Sequence, residues 1–457
     1  MSSAGRSSPW SGAALGRVAT FVLPTASVLI AALVFLGPGA LRPALGVRVR
    51  GLPAEGARTV ALRVELVRSR YDVVDTGGVQ ELLVEASAPG QTLRAWHGET
   101  GPDGIAEVRL EAQSPILRGP LALGVSAVKP RPKLLAAGEV PLRRPAAAFV
   151  QLGRLNGTVH GDLAVRVDAT RGFLASPFPE VLRVLVSPAG MDVPLGTRAE
   201  VTVSGPGLDA TPPKLTTDER GAGAFRLKAL AHQVELTLDV RAGDRTARWE
   251  GTLPVLPGAM WLSPKGSSST LALLSPVPRE RAYVSFWSEE GRVGGAVVPL
   301  ARDPLGFFAG EVAMPEVSAR LLYATVAGDP LEQGVGTVGW PLQPPEGVVS
   351  PQPLALLLDG LPAALEREKQ RAWTTRRSGL VLIGAAALAE VLLLLFQGRD
   401  SQRKLEAHLE EASGSVSEAD RARLRSAGRD HPLMRAVLVV ALVGLGFAMV
   451  AALSTFR

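Results

Sequence analysis

At 457 residues, with 46% apolar and 20% charged side chains, the chain is too long for a single core and too hydrophobic for a disordered one. It has no cysteine, which excludes disulfide stapling, thiolate nucleophiles and Cys-ligated metal centres. The 49 basic and 43 acidic residues give a net charge of +6 with the two signs interspersed. No stripe of basic and base-reading side chains stands out, so nucleic acid is not an expected partner. Only seven of the basic residues are lysine, which together with 49 Gly, 36 Pro and heavy Ala usage points to a GC-rich bacterial genome.

In chain order, residues 1–17 form a short tail carrying Arg6 and Arg17, and 18–36 is an apolar segment long enough for a helix across roughly 30 Å of hydrocarbon. The prolines around Leu36-Gly-Pro-Gly-Ala40 do not suit a signal cleavage site, so an uncleaved first transmembrane helix is expected. From Thr59 the pattern changes to short alternating runs, such as Val60, Leu62, Val64 and Leu66, and later Val234-Glu-Leu-Thr-Leu-Asp-Val240. Period-two alternation bounded by Gly, Pro and Asp turns predicts half-buried strands, and many of them at short spacing predict sandwiches.

A weak internal repeat runs through this region at an offset of 117 residues. Thr100-Gly-Pro-Asp-Gly104 enters Ile-Ala-Glu-Val-Arg-Leu110, and Thr217-Asp-Glu-Arg-Gly221 enters Ala-Gly-Ala-Phe-Arg-Leu227. Each is a tight turn feeding an alternating strand, with a glycine free to take positive φ. The arrangement resembles the turn and following strand of bacterial Ig-like and macroglobulin-like β-sandwich domains, over about a dozen residues in each half. The fold class expected is therefore a mainly β exterior of tandem Ig-like β-sandwiches plus three transmembrane α-helices.

Proline and basic stretches place domain boundaries near Ala148 and Pro257, giving β-sandwich domains at 42–148 and 149–257. A third, aromatic-rich β domain is expected at 258–341, where Trp261, Trp287 and Trp340 stand out. These three either fill a small β core or face a partner. Residues 342–379 read as a Pro-rich linker and a charged juxtamembrane helix with Trp373 at interfacial depth. A second transmembrane helix is expected at 380–396, a cytoplasmic loop at 397–432 and a third helix at 433–453.

Glu390 stands inside the second of these segments. A carboxylate there is costly unless protonated, paired or facing another helix or water, so it reads either as an interhelical packing contact or as a proton- or ion-handling group. Gly384, Gly444 and Gly446 are small residues of the kind that let helices approach closely in lipid.

Histidines 97, 160, 232, 408 and 431 are scattered without ligand spacing, and no Gly-x-Ser-x-Gly elbow, phosphate loop or His-Glu-x-x-His is present. No catalytic residue, metal or cofactor is expected. The reading is a non-catalytic scaffold or accessory subunit of a bacterial envelope complex, anchored in the inner membrane with its large region on the periplasmic or extracellular side. Its partners would be other membrane or periplasmic proteins in a hetero-oligomer, besides the lipid bilayer. A transporter subunit using Glu390 and an ectoenzyme with a site hidden in sequence are the alternatives.

Overall fold

The structure, a computed structural model, describes residues 12–37, 40–70, 73–117, 119–143, 153–169, 171–191, 193–265, 269–318, 320–334, 336–342, 353–411, 417–420, 422–423, 444 and 446. They fall into two compact units. One comprises Leu45–Ser69 and Val74–Pro362, the other Met1–Ala44, Arg70–Val73 and Ala363–Arg457.

Among the described residues, the larger unit is built from six β-sheets around three large hydrophobic cores, with a smaller cluster of Trp287, Tyr323 and Leu354 beside them. Its strands form because apolar residues recur at every second position. Pro179–Pro188 alternates exposed and buried positions over most of its length, with Leu182, Val184 and Val186 inward. Burying side chains of that size contributes about 1.5–3 kcal/mol each.

In the first sandwich, one sheet holds Ala44–Gly51, Thr59–Arg70, Val73–Thr76, Ile105–Glu111 and Ala355–Asp359. The facing sheet holds Glu81–Ala88, Gln91–Thr92, Trp96–Glu99, Leu121–Ala127 and Lys133–Val140. Leu62, Leu66, Leu82, Leu110 and Leu121 fill the space between them. One member of the first sheet comes from the far end of the chain. Ala355–Asp359 lies antiparallel to Ala44–Gly51, with Arg48 opposite Asp359. Asp359 Oδ1 then accepts the Leu361 N–H at 2.9 Å, and Pro362 occupies the first turn of the helix that follows.

The second sandwich packs a five-stranded sheet, centred on Pro179–Pro188 and Ala222–Ala229, on a six-stranded sheet centred on Gln233–Ala242 and Arg245–Pro257. Trp249, Phe225 and Leu236 lie in its core. The third consists of two four-stranded sheets, with Phe286, Leu273, Val298 and Trp340 between them. The repeat seen in the sequence is present as two matching turns. Gly104 (φ 75°) donates its N–H to Gly101 O, and Gly221 (φ 82°) donates to Asp218 O. The buried Thr100 and Thr217 hydroxyls each accept a backbone N–H, from Gln80 and Ala199.

The smaller unit contains α1 (Gly12–Leu36) and α2 (Leu361–Glu411). Ala31 and Ile383 pack together, with Ile30 beside them, and Gly379 leaves room for Val34. Here the expectation of three membrane helices is corrected. Among the described residues one helix, over Leu361–His408, is long and apolar enough to cross a membrane. In α1 the apolar run is the shorter Pro24–Leu36, about 20 Å at 1.5 Å per residue and short of the hydrocarbon thickness. Apart from Gly444 and Gly446, the third expected span at 433–453 lies outside the described residues. So do residues 1–11 of the expected tail, much of the 397–432 loop, and the Ala148 boundary.

The returning strand has a measurable consequence. A fragment covering residues 45–360 should unfold cooperatively, whereas one ending at residue 345 loses Ala355–Asp359 with the buried Leu354 and exposes the edge of Ala44–Gly51. Calorimetry should find the shorter fragment about 3 kcal/mol or more less stable.

Candidate functional site

The densest buried polar chemistry lies where the first sandwich meets the third. Thr59–Arg70 points Val60, Leu62, Val64 and Leu66 into the first core, yet Ala61 and Arg63 on the opposite face are buried as well. The neighbouring Ile105–Glu111 strand brings Glu107 to the same face. From the third sandwich come Arg281–Ser288, with seven consecutive buried positions, and Gly291–Pro299, which carries Arg292. A strand buried on both faces loses its alternation.

Arg63 Nε donates to Glu107 Oε1 at 2.6 Å, its Nη1 donates to Pro330 O at 2.7 Å, and its Nη2 pairs with Glu332 Oε1 at 2.9 Å. Arg292 Nη2 donates to Glu107 Oε2 at 2.6 Å and its Nε to Ser285 Oγ at 2.9 Å. Ser285 Oγ in turn donates to Glu332 Oε1 at 2.5 Å, and Thr325 Oγ1 donates to Glu332 Oε2 at 2.9 Å. Trp287 Nε1 closes the set on Thr325 Oγ1 at 3.1 Å. Two guanidinium groups thus face two carboxylates, and all four carboxylate oxygens are engaged. Burial alone pushes the Arg63 guanidinium down, but Glu107 and Glu332 more than offset this and leave it raised.

Two backbone features make the approach possible. An added Cβ at Gly295 would collide with Arg292 Nη2 and stand 2.7 Å from Glu107 Oε2, so a side chain there would displace the Arg292–Glu107 pair. Glu332 sits at φ 56°, a left-handed conformation uncommon outside glycine, held by a loop whose Asp329 carboxylate accepts the N–H groups of Leu331, Gln333 and Gly334. Around this centre, Arg281 pairs with Asp103 at 3.0 Å and Arg109 donates to Glu316 O at 2.6 Å. With every carboxylate oxygen bound, the cluster offers no free base; its chemistry is that of a lock between two sandwiches. Among the described residues, no group of three or more potential metal ligands is gathered.

The residues singled out in the sequence lie elsewhere or at the edges of this site. Trp287 is buried and stacks on Tyr323 at 5.7 Å between centroids. Trp340 is buried in the third core, edge-on to the half-buried Trp261 at 5.0 Å. The Arg171 guanidinium, from the second sandwich, lies 3.4 Å from the Trp340 ring centre and 4.5 Å from that of Trp261, and it is paired with the buried Glu180.

Glu390 is 1% exposed in α2, and neither of its oxygens has a hydrogen-bond partner among the described residues. An added methyl at Gly384 or Gly444 would meet no described atom within 4 Å, while at Gly446 it would meet Val28 of α1 at 2.8 Å. Sequence reasoning passed over Arg63, Glu107, Arg292 and Glu332. The available signals were the unbroken Ala-Tyr-Val-Ser-Phe-Trp run from Ala282 and the Gly294-Gly295 pair inside a strand.

No family model matches the chain, and no curated protein matches it. Among solved structures it is similar to the Yersinia pseudotuberculosis adhesin InvE, at 17% identity over 52% of this chain and 69% of that one, TM-score 0.17. It is also similar to the D0–D1 domain of intimin, at 14% identity over 46% and 97%, TM-score 0.14. A third match is the Escherichia coli alpha-2-macroglobulin, at 14% identity over 63% of this chain but only 23% of that one, TM-score 0.18. The resemblance to bacterial Ig-like and macroglobulin-like β-sandwich domains is broad and weak. It is a likeness of fold alone.

Two outcomes test the lock. Glu332→Ala leaves Arg63 buried opposite one carboxylate instead of two and should destabilise the exterior unit by about 3–5 kcal/mol in denaturant titration. Tyr323 is held above its ordinary pKa of 10.0 by burial, reinforced by Glu332, so the folded state favours the neutral phenol. Its contribution is complete below about pH 10 and is lost as pH rises beyond that. Thermal midpoints measured from pH 8 to 11.5 should therefore fall at the alkaline end, and less steeply in Tyr323→Phe.

Proposed function

We propose that this chain is a membrane-anchored scaffold or accessory subunit of a bacterial envelope complex, with α2 crossing the inner membrane and the β-sandwich unit on the periplasmic side engaging partner proteins. The observation that carries this reading is the join between strand and helix. A single residue, Gly360, separates a hydrogen-bonded sheet strand from α2, whose apolar stretch exposes Leu380, Val381, Leu388, Leu392 and Phe396. Large aliphatic side chains left uncovered along a long helix suit lipid and not water. Trp373, Arg376 and Arg377 precede that stretch, with Arg377 against the Trp373 ring and Arg376 against Phe35, as suits residues at a headgroup boundary.

Within the bilayer, Glu390 would serve assembly. A buried carboxyl can hydrogen-bond a helix of a partner subunit, an interaction worth roughly 0.6–2 kcal/mol in lipid. Native electrophoresis of complexes purified in mild detergent should show Glu390→Gln nearly intact and Glu390→Leu loosened. Equal retention in both variants would remove Glu390 from the interface.

The absence of cysteine makes the placement simple to test. Asp244→Cys lies in an exposed turn of the second sandwich and Glu418→Cys lies beyond α2. A membrane-impermeant maleimide should label the first in intact spheroplasts and the second only after permeabilisation. Labelling of both before permeabilisation would overturn the proposed crossing.

A further inference from the structure

The turn Ser275-Pro-Val-Pro-Arg279 links the Thr270–Ser275 and Arg281–Ser288 strands of the third sandwich, and its two prolines restrict the backbone. Arg279, at the end of this turn, is half-buried. Its Nη1 donates to Ser275 Oγ at 2.7 Å and to Gly258 O at 3.1 Å. Both acceptors are neutral, and among the described residues no carboxylate pairs with Arg279. Burial pushes its guanidinium down and nothing nearby restores it, unlike Arg63, which two glutamates compensate.

The nitrogens not engaged are Nε and Nη2, which together form one flat edge of the group. A Cβ on Gly328 would stand 3.1 Å from Nε, and one on Gly336 would stand 3.6 Å from Nη2. Neither glycine has a positive φ, so the backbone would accept a side chain at both places. What the missing side chains provide is an open approach to that edge. Arg279 and Gly328 lie in the wall of a hollow of about 490 Å³, together with Thr76, Pro102, Ile105 and Pro330. Three carboxylates share this wall but answer other cations. Glu65 is 3.8 Å from Arg50, and Asp103 and Glu280 are 3.0 Å and 3.7 Å from Arg281.

From this arrangement we propose that the hollow is a binding site for a small organic monocarboxylate, with its two oxygens on Nε and Nη2 of Arg279 and its carbon chain among the apolar residues of the wall. The hollow has the size usual for small-molecule sites. The Nε and Nη2 edge offers two parallel N–H groups at the spacing of carboxylate oxygens. Because Nη1 is fixed on Ser275 and Gly258, the plane of the group is set before anything binds. One uncompensated cation beside three carboxylates suits a single negative charge, whereas a phosphate dianion would meet more repulsion than it finds partners. Such a site would work in the same way whether or not the exterior unit also holds a partner protein.

The test uses the full chain in mild detergent and butyrate as probe, followed by saturation-transfer NMR with empty micelles as the blank. Wild type should give a saturable butyrate signal. Arg279→Lys keeps the charge but loses the fork, and it should weaken butyrate binding by about fivefold or more. Gly328→Ala leaves Arg279 in place and sets a methyl 3.1 Å from Nε, so it should weaken binding to a similar extent. Arg245→Lys, at an exposed arginine of the second sandwich, should bind as wild type does. Circular dichroism spectra that match wild type separate loss of the site from loss of the fold, and Gly328→Ala decides the matter if Arg279→Lys does not fold. Absence of a saturable signal in wild type would overturn the site, as would equal binding by wild type and Gly328→Ala. A loss in Arg245→Lys as large as that in Arg279→Lys would do the same. Displacement of butyrate by inorganic phosphate at lower concentration than by acetate would overturn the choice of a monocarboxylate.

Discussion

The exterior unit depends on one constraint: Arg63, Arg292 and Glu332, buried where the first and third sandwiches meet, must be brought together with the half-buried Glu107 or left uncompensated. Each charge taken from water costs several kcal/mol, and only close pairing with the opposite sign returns it. The local irregularities of the third sandwich follow from that demand. Gly295 gives up its side chain so that Glu107 and Arg292 can meet, and the loop after Leu321–Ala327 holds Glu332 in a left-handed conformation that delivers its carboxylate. A buried charge cluster of this kind is a poor source of net stability compared with an apolar core of equal volume. What it supplies here is register, because Arg63 reaches both Glu107 and Glu332, and Arg292 reaches Glu107 and Ser285, in a single arrangement.

The joint between the second and third sandwiches is built on different physics. Leu174–Ser176 runs parallel to the end of the long Arg245–Pro257 strand, and Ala175 and Phe178 enter the core of the third sandwich. Arg171 lays its guanidinium against Trp340 and Trp261, while Glu180 supplies the counter-charge. The aromatic wealth of the third sandwich is thus spent largely within the exterior unit.

Much of the β architecture was legible because period-two burial writes itself directly into strands such as Pro179–Pro188, and because Gly104 and Gly221 mark turns that need positive φ. The lock was not legible, for a physical reason. Arg63 and Glu107 occupy the positions that alternation assigns to solvent, and only a second sandwich lying on that face turns them into interior residues. The same limit applies to Ala355–Asp359, which as five residues after a Pro-rich stretch carries no mark of its partner hundreds of positions earlier. The first expected membrane helix was read on apolar length, whereas the apolar run among the described residues of α1 is the shorter Pro24–Leu36. Glu390 was found since a carboxylate amid leucines is conspicuous in any reading.

The distance along the chain between the members of the lock bears on how the protein can be made. Arg63 emerges from the ribosome 267 residues before Pro330, whose carbonyl binds it, and Ala44–Gly51 waits still longer for its neighbouring strand. Until then the first sandwich has an open sheet edge and Arg63 has only Glu107 of its partners, so the sandwich is incomplete as an independent N-terminal domain in the usual vectorial order. Completion of the first sandwich is deferred until the strand that leads into α2 has been produced, which ties the last step of exterior folding to the moment the long apolar helix follows it.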